Sequence, residues 1–156
     1  MIGGERRSKD IVAEREVLMT YVIWSSDFSV GVPALDGQHL ALLELCKQAA
    51  ACLENDGDDD GADIRNILER LVSYTDNHFR EEERLLRECN YPHLIDHHAE
   101  HVEYTSRLNE FLVDAANGVI DKESLFDYLA DWWGNHILGA DKAYMPFLGN
   151  KTQKIC

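Results

Sequence analysis

The stretch YTDNHFREEERLLRECNYPHLIDHHAEH, residues 74–101, decides the fold. Its first half carries Tyr74, Thr75, His78, Glu82, Leu85 and Leu86 at the three- and four-residue steps of one helix face. Asn90-Tyr91-Pro92 then interrupts the pattern, because Pro removes a backbone donor and Asn suits a turn. The second half resumes with His97 and His101, again four apart. Two helices joined by a break this short must fold back on each other as an antiparallel hairpin.

Working outward, the face of the first helix extends back through Leu71, Leu68 and Ile67, with Asp63 as the expected N-cap. Before it, DGDDDG at 56–61 cannot continue a helix. A further helix over about 36–54 places Leu35, His39, Leu42, Leu43, Cys46, Ala49, Ala50 and Leu53 on one side. On the far side, the helix after Pro92 is predicted to start in that residue's first turn and run from about 92 to 116, closed by Asn117-Gly118. Asp121 caps a last helix over about 122–147. No strand alternation is long enough to seed a sheet. The predicted fold class is therefore all-α, an antiparallel up-down-up-down four-helix bundle with an N-terminal arm.

The 156 residues fit one domain. Residues 1–20 form an N-terminal extension, either helical or mobile. Residues 21–35 form an ordered arm, since Trp24, Phe28 and Val30 are too apolar to leave in water. Residues 36–150 form the bundle and 151–156 a C-terminal tail. With 45% apolar and 28% charged residues the composition is that of an ordinary globular chain. No apolar run reaches the roughly 20 residues of a membrane span, so no membrane insertion is expected. Arg6, Arg7 and Lys9 are followed by no hydrophobic region, so the expected localisation is cytoplasmic. A net charge of −14 argues against nucleic acid as a partner. Cys46, Cys52, Cys89 and Cys156 show no paired spacing and read as reduced thiols. The acidic turn matches the first half of an EF-hand loop, but Ile67 stands where that loop needs a bidentate Glu, so it reads as a solvated turn.

The chemistry lies in histidines and carboxylates at matched heights. His78 and Glu82 share a face, as do His97 and His101. In antiparallel neighbours, residues equally far from the connecting turn lie level. His39 and His78 are each about 19.5 residues from the first turn, and the pairs His78/Glu82 and His97/His101 about 10 and 9 from the second. The centres of His97/His101 and His136/Asp141 are each about 20 from the third. Four helices thus bring five imidazoles and two carboxylates to one layer. Buried without a counter-charge such a layer is costly, and metal cations answer that cost. Imidazole with carboxylate suits iron, zinc, copper or nickel, and seven ligands suit two ions sharing carboxylates.

His98, about 100° around from His97, should face the side or solvent, and His93 should lie at the bundle end. Glu82, rather than Glu81 or Glu83, sits four after His78. His136 and Asp141 are five apart, which an α-helix places about 140° from one another, so a local distortion is expected there. Trp132 and Tyr74, each four before a histidine of the layer, should lie over it with Phe79 nearby, as core packing or as the walls of a dry pocket.

Residues 24–147 resemble the bacterial hemerythrins. The resemblance is carried by Trp24, by SVGVPALDGQH ending at His39, YTDNHFREEE at 74–83, YPHLIDHHAEH at 91–101 and WWGNHILGADKAY at 132–144. Departures are Gly37, where the family usually has a polar residue, and the extra N-terminal segment. The resemblance implies a non-haem di-iron centre, two Fe ions with an oxo or hydroxo bridge, that binds O2 reversibly. It would place His97, His101 and His136 on one iron, His39 and His78 on the other, with Glu82 and Asp141 bridging. The iron with fewer protein ligands would receive O2. Such a protein is a binder for storage, delivery or sensing rather than an enzyme. The rival readings are a di-iron oxidase, peroxidase or nitric oxide reductase, and an O2- or redox-sensing module attached to an upstream signalling domain. Whether it forms a homo-oligomer the residues leave open.

Overall fold

A computed structural model describes residues 24–54 and 60–149. The expected extension at 1–20, most of the acidic turn, the side chain of Leu53 and the tail at 151–156 with Cys156 lie outside the described residues. Helix α1 spans Pro33–Glu54, α2 Asp60–Glu88, α3 Leu94–Ala116, α4 Lys122–Trp132 and α5 Lys142–Leu148. A π-helical segment, Trp133–Asp141, joins α4 to α5, so the three together make the fourth rod of the bundle. Packing runs α1 on α2, α2 on α3, and the fourth rod back onto α1. This is the four-helix bundle the periodicity predicts, and among the described residues no strand occurs. Nor is any described helix long and apolar enough to cross a membrane.

Three helix starts differ from expectation. Helix α1 begins at Pro33, whose fixed φ and missing donor suit the first helical position. Helix α2 begins at Asp60, which leaves Asp63 inside it and exposed rather than capping it. Helix α3 starts at Leu94, with Pro92 and His93 in the preceding turn. The ends of α2 and α3 explain this last shift, because both close in the same way. Asn90 at φ 56° lets Tyr91 N–H bond Leu86 C=O, and Gly118 at φ 75° lets Val119 N–H bond Asp114 C=O. The chain leaving Asn90 therefore needs Tyr91 to Pro92 to reverse before a new helix can start. Asp121 caps α4 as predicted, accepting from the Ser124 N–H at 3.0 Å.

The arm is pinned to the start of α1. Asp36 accepts from the Val30 N–H at 2.7 Å and from the Ser29 hydroxyl at 2.7 Å, and Lys142 Nζ donates to Ser29 C=O at 2.6 Å. Phe28 reaches the main apolar cluster, which also holds Leu42, Leu43, Leu68, Leu71, Leu108 and Leu125. A second, smaller cluster gathers Val30, Leu35, Leu86, Tyr91 and Tyr144.

Leu108 is fully buried in the main cluster and Val113, on the same helix, is 59% exposed. Leu108→Ala should cost about 2–5 kcal/mol of unfolding free energy through the cavity it leaves. Val113→Ala should stay within about 0.5 kcal/mol. Urea unfolding of the metal-free protein measures both, and equal losses would contradict this assignment of the core.

Candidate metal centre

Every residue of the layer expected from turn-to-residue distances is buried: His39, His78, Glu82, His97, His101, His136 and Asp141 are each no more than 3% exposed. Their potential ligand atoms form two sets that could each hold a metal ion. One is His97, His101 and His136 with Glu82, the other His39 and His78 with Glu82 and Asp141, and within each set the atoms lie within 4.8 Å of one another. Glu82 belongs to both. Its Oε2 lies 2.9 Å from His97 Nε2 and 3.1 Å from His101 Nε2, while Oε1 turns toward His78 Nε2 at 4.0 Å. Asp141 spans the sets the same way, with Oδ1 3.0 Å from His136 Nε2 and Oδ2 3.3 Å from His39 Nε2.

The π-helical segment explains how His136 and Asp141 act together. Hydrogen bonds that reach five residues instead of four bring side chains five apart onto one face, which regular α geometry would place far around the axis. The distortion expected from the five-residue spacing is therefore present, and extends over Trp133–Asp141.

Outside the layer, three imidazoles are oriented through their other nitrogen. His78 Nδ1–H donates to Gln38 Oε1, His101 Nδ1–H to Glu83 Oε1, and His136 Nδ1–H to Glu100 Oε2, each at 2.8 Å. With Nδ1 protonated, the neutral ring presents a lone pair on Nε2. Tyr144 donates to Glu82 Oε1 at 2.5 Å from the smaller apolar cluster. Spacing did not find Gln38, Glu83, Glu100 or Tyr144. The first three lie next to residues of the layer in the chain, and that adjacency was their only signal.

Rings close the layer. Phe79 stacks on His101 at 3.8 Å and Trp132 on His136 at 3.8 Å, as the four-residue spacing of Trp132 predicts. Tyr74 does not follow. It is half-buried and lines a surface groove with Glu44, Gln48 and Arg70, while Trp133 faces His39 edge-on at 6.2 Å in the position expected of it. His98 is 57% exposed, as its angle predicts, and its Nδ1–H donates to Glu83 Oε1 at 2.9 Å. His93 is exposed at the bundle end. A cleft of about 500 Å³ lined by Glu100, Glu103, Asp131, Trp132 and Asn135 reaches His136 from the surface.

Burial opposes ionisation of Glu82, but hydrogen bonds with His101 and His97 outweigh it and hold the carboxyl well below its ordinary range. Burial and Glu82 both oppose ionisation of Asp141, and His136 and His39 bring its pKa down nonetheless. Burial lowers the His78 pKa to about 4, only partly offset by Glu82. For His136, burial works against the charged form and is outweighed by Asp141, Glu82 and Glu100, leaving it above the ordinary imidazole value. The layer thus holds two ionised carboxylates among buried imidazoles.

The donor set fits metal ions. His39 Nδ1 and Nε2 and both Asp141 carboxylate oxygens are buried without a hydrogen-bond partner. Moreover, His101 Nε2 and His136 Nε2 face each other at 3.1 Å, and in both rings Nδ1–H already donates outward to a carboxylate. In the metal-free layer the protons these two nitrogens share with Glu82 and Asp141 relieve the crowding, and when both rings are neutral a cation among them would take that place.

Known proteins resemble this chain over most of its length. Residues 30–148 match the family described as Hemerythrin HHE cation binding domain. A bacteriohemerythrin of Clostridium acetobutylicum is 29% identical over 126 residues, 79% of this chain and 98% of the relative. A myohemerythrin of Riftia pachyptila is 30% identical over 129 residues, 83% and 94% of the two chains. A crystal structure of a leucine-to-tyrosine mutant hemerythrin superposes with a TM-score of 0.73 at 23% identity, covering 81% of this chain and 95% of that one, which speaks to the fold. On a match spanning most of its length, with a bundle and a buried histidine–carboxylate layer to support it, the chain belongs to the hemerythrin family.

Proposed function

We propose that the layer holds two iron ions and binds O2 reversibly. The observation that carries this reading is the facing pair of imidazole nitrogens, 3.1 Å apart, with carboxylate oxygens at 3.0 and 3.1 Å. His97, His101 and His136 would hold one ion and His39 and His78 the other, with Glu82 and Asp141 within reach of both. Iron held there would supply the electrons for reversible O2 binding. The residues do the rest by position. Gln38, Glu83 and Glu100 hold three rings with Nε2 turned inward. Phe79, Trp132 and Trp133 pack against the rings and keep water from the layer. The His39–His78 half would have one fewer protein ligand, which would leave a coordination position for O2 there.

Binding without turnover is part of this proposal. The smaller apolar cluster lies against the layer through Tyr144, and the main one through Phe79 and Trp133, so protons and water reach bound O2 slowly. A cytoplasmic location also belongs to it, in keeping with the free thiols of Cys46 and Cys89.

Metal analysis after iron-replete expression should find two Fe per chain, and the reduced protein should gain a visible absorption band in O2 that disappears when O2 is removed. A single zinc would overturn the di-iron reading. Immediate oxidation in air with no reversible band would favour a redox enzyme or redox sensor. His101→Ala and Glu82→Ala should lose the full two-iron content, whereas His98→Ala should keep it.

Tyr144→Phe removes the hydroxyl that donates to the buried Glu82 carboxylate. It should cost about 1–3 kcal/mol in the metal-free protein, the usual penalty for a buried acceptor left short. Urea unfolding at neutral pH tests this, and an unchanged midpoint would show the contact to be incidental.

A further inference from the structure

The two halves of the layer differ in what stands behind their imidazoles. His101 and His136 each donate Nδ1–H to a carboxylate at 2.8 Å, Glu83 and Glu100 respectively. On the other side His78 has only the neutral amide of Gln38, and His39 has no hydrogen-bond partner at either nitrogen. A carboxylate acceptor draws the Nδ1 proton toward itself and makes Nε2 a stronger electron-pair donor than an amide does. It also fixes the ring, so less conformational freedom is lost when a metal binds.

We propose that the two metal positions are unequal by construction: Glu83 and Glu100 are positioning residues that make the His97/His101/His136 position the tighter one, filled first, and the His39/His78 position the weaker. This rests on the two-metal reading of the site. Partners of this kind change metal affinity about 10- to 100-fold. Glu83 should matter more than Glu100, because its side chain is 14% exposed against 51%, and water screens the more exposed charge. Glu83 also comes from α2 and holds a ring on α3, while Glu100 comes from α3 and holds a ring on the π-helical segment. Each pair therefore ties neighbouring rods together at the tighter position.

The test is calorimetric titration of the metal-free full-length chain with Co2+, an ion of similar ligand preference that is stable in air. Two ions should bind in two steps at least about tenfold apart. His39→Ala should remove the weaker step and spare the tighter. Glu83→Gln should weaken the tighter step about 10- to 100-fold, and Glu100→Gln should weaken it less, with helical circular dichroism confirming that both fold. Glu103→Gln removes the same charge from the exposed face of α3 and should leave both steps unchanged. Gln38→Glu supplies the missing carboxylate behind His78 and should strengthen the weaker step. Two equal steps, or a Glu103→Gln loss as large as that of Glu83→Gln, would overturn the inequality. A total other than two ions would instead remove the two-metal reading beneath it.

Discussion

The constraint on which the rest of the structure depends is the crowd of electron pairs at mid-height in the bundle. Five imidazoles and two carboxylates are taken out of water and aimed at one another across distances near 3 Å. Left to themselves such groups would pull in water or push the helices apart. The long apolar stripes oppose this, with Leu42, Leu43, Leu68, Leu71, Leu108 and Leu125 on one side and Leu35, Leu86, Tyr91 and Tyr144 on the other. Hydrophobic burial above and below holds the layer closed, at roughly 1.5–3 kcal/mol for each large side chain withdrawn from water. That surplus is what lets the chain keep a locally unfavourable arrangement ready for cations.

The fourth rod shows the same constraint acting on the backbone. A regular helix can set two inward-facing residues three or four apart, but His136 and Asp141 are five apart. The bundle meets this by widening the backbone over Trp133–Asp141 rather than by turning either side chain outward. Such widened segments are rare and gather at functional sites. Here the reason is visible, since Asp141 must stand level with both His136 and His39. At the start of this segment Trp132 and Trp133, neighbours in the chain and so about 100° apart around the axis, pack against different imidazoles, His136 and His39.

Helix number, order and approximate ends were legible in the sequence because period and turn chemistry are local. Asn117-Gly118 and Asn90 act through a positive φ that few other residues adopt cheaply. The level of the seven polar residues was legible too, since distance from a tight turn converts directly into height along a helix. What escaped depends on side-chain direction across helices. Glu83 was set aside because it is one residue from the right face, yet that offset lets it stand behind His101 on the next helix. Tyr74 has the same four-residue lead on its histidine as Trp132, but the ring facing His39 belongs to Trp133, and Tyr74 lies out in the groove between α1 and α2. Asp63 was read as a cap from residue type alone, and α2 begins three residues earlier.

Charge counting links the inner and outer residues. Glu82 and Asp141 contribute −2 inside the layer, and Glu83 and Glu100 another −2 directly behind its rings, a sum of −4. Two divalent ions would contribute +4, so the four carboxylates would balance them with every imidazole neutral, before an oxo or hydroxo bridge added its own negative charge. Remove the outer pair and the ions would face only −2, with a net positive charge sealed between apolar clusters where its cost is greatest. The outer carboxylates also sit nearer water than the inner ones, 14% and 51% exposed, so their charge costs less desolvation than a fully buried one would. On this view the acidic residues around the bundle are not equivalent. Glu103 and Asp131 are surface charges, while Glu83 and Glu100 stand directly behind the rings of His101 and His136 and accept their outward N–H groups.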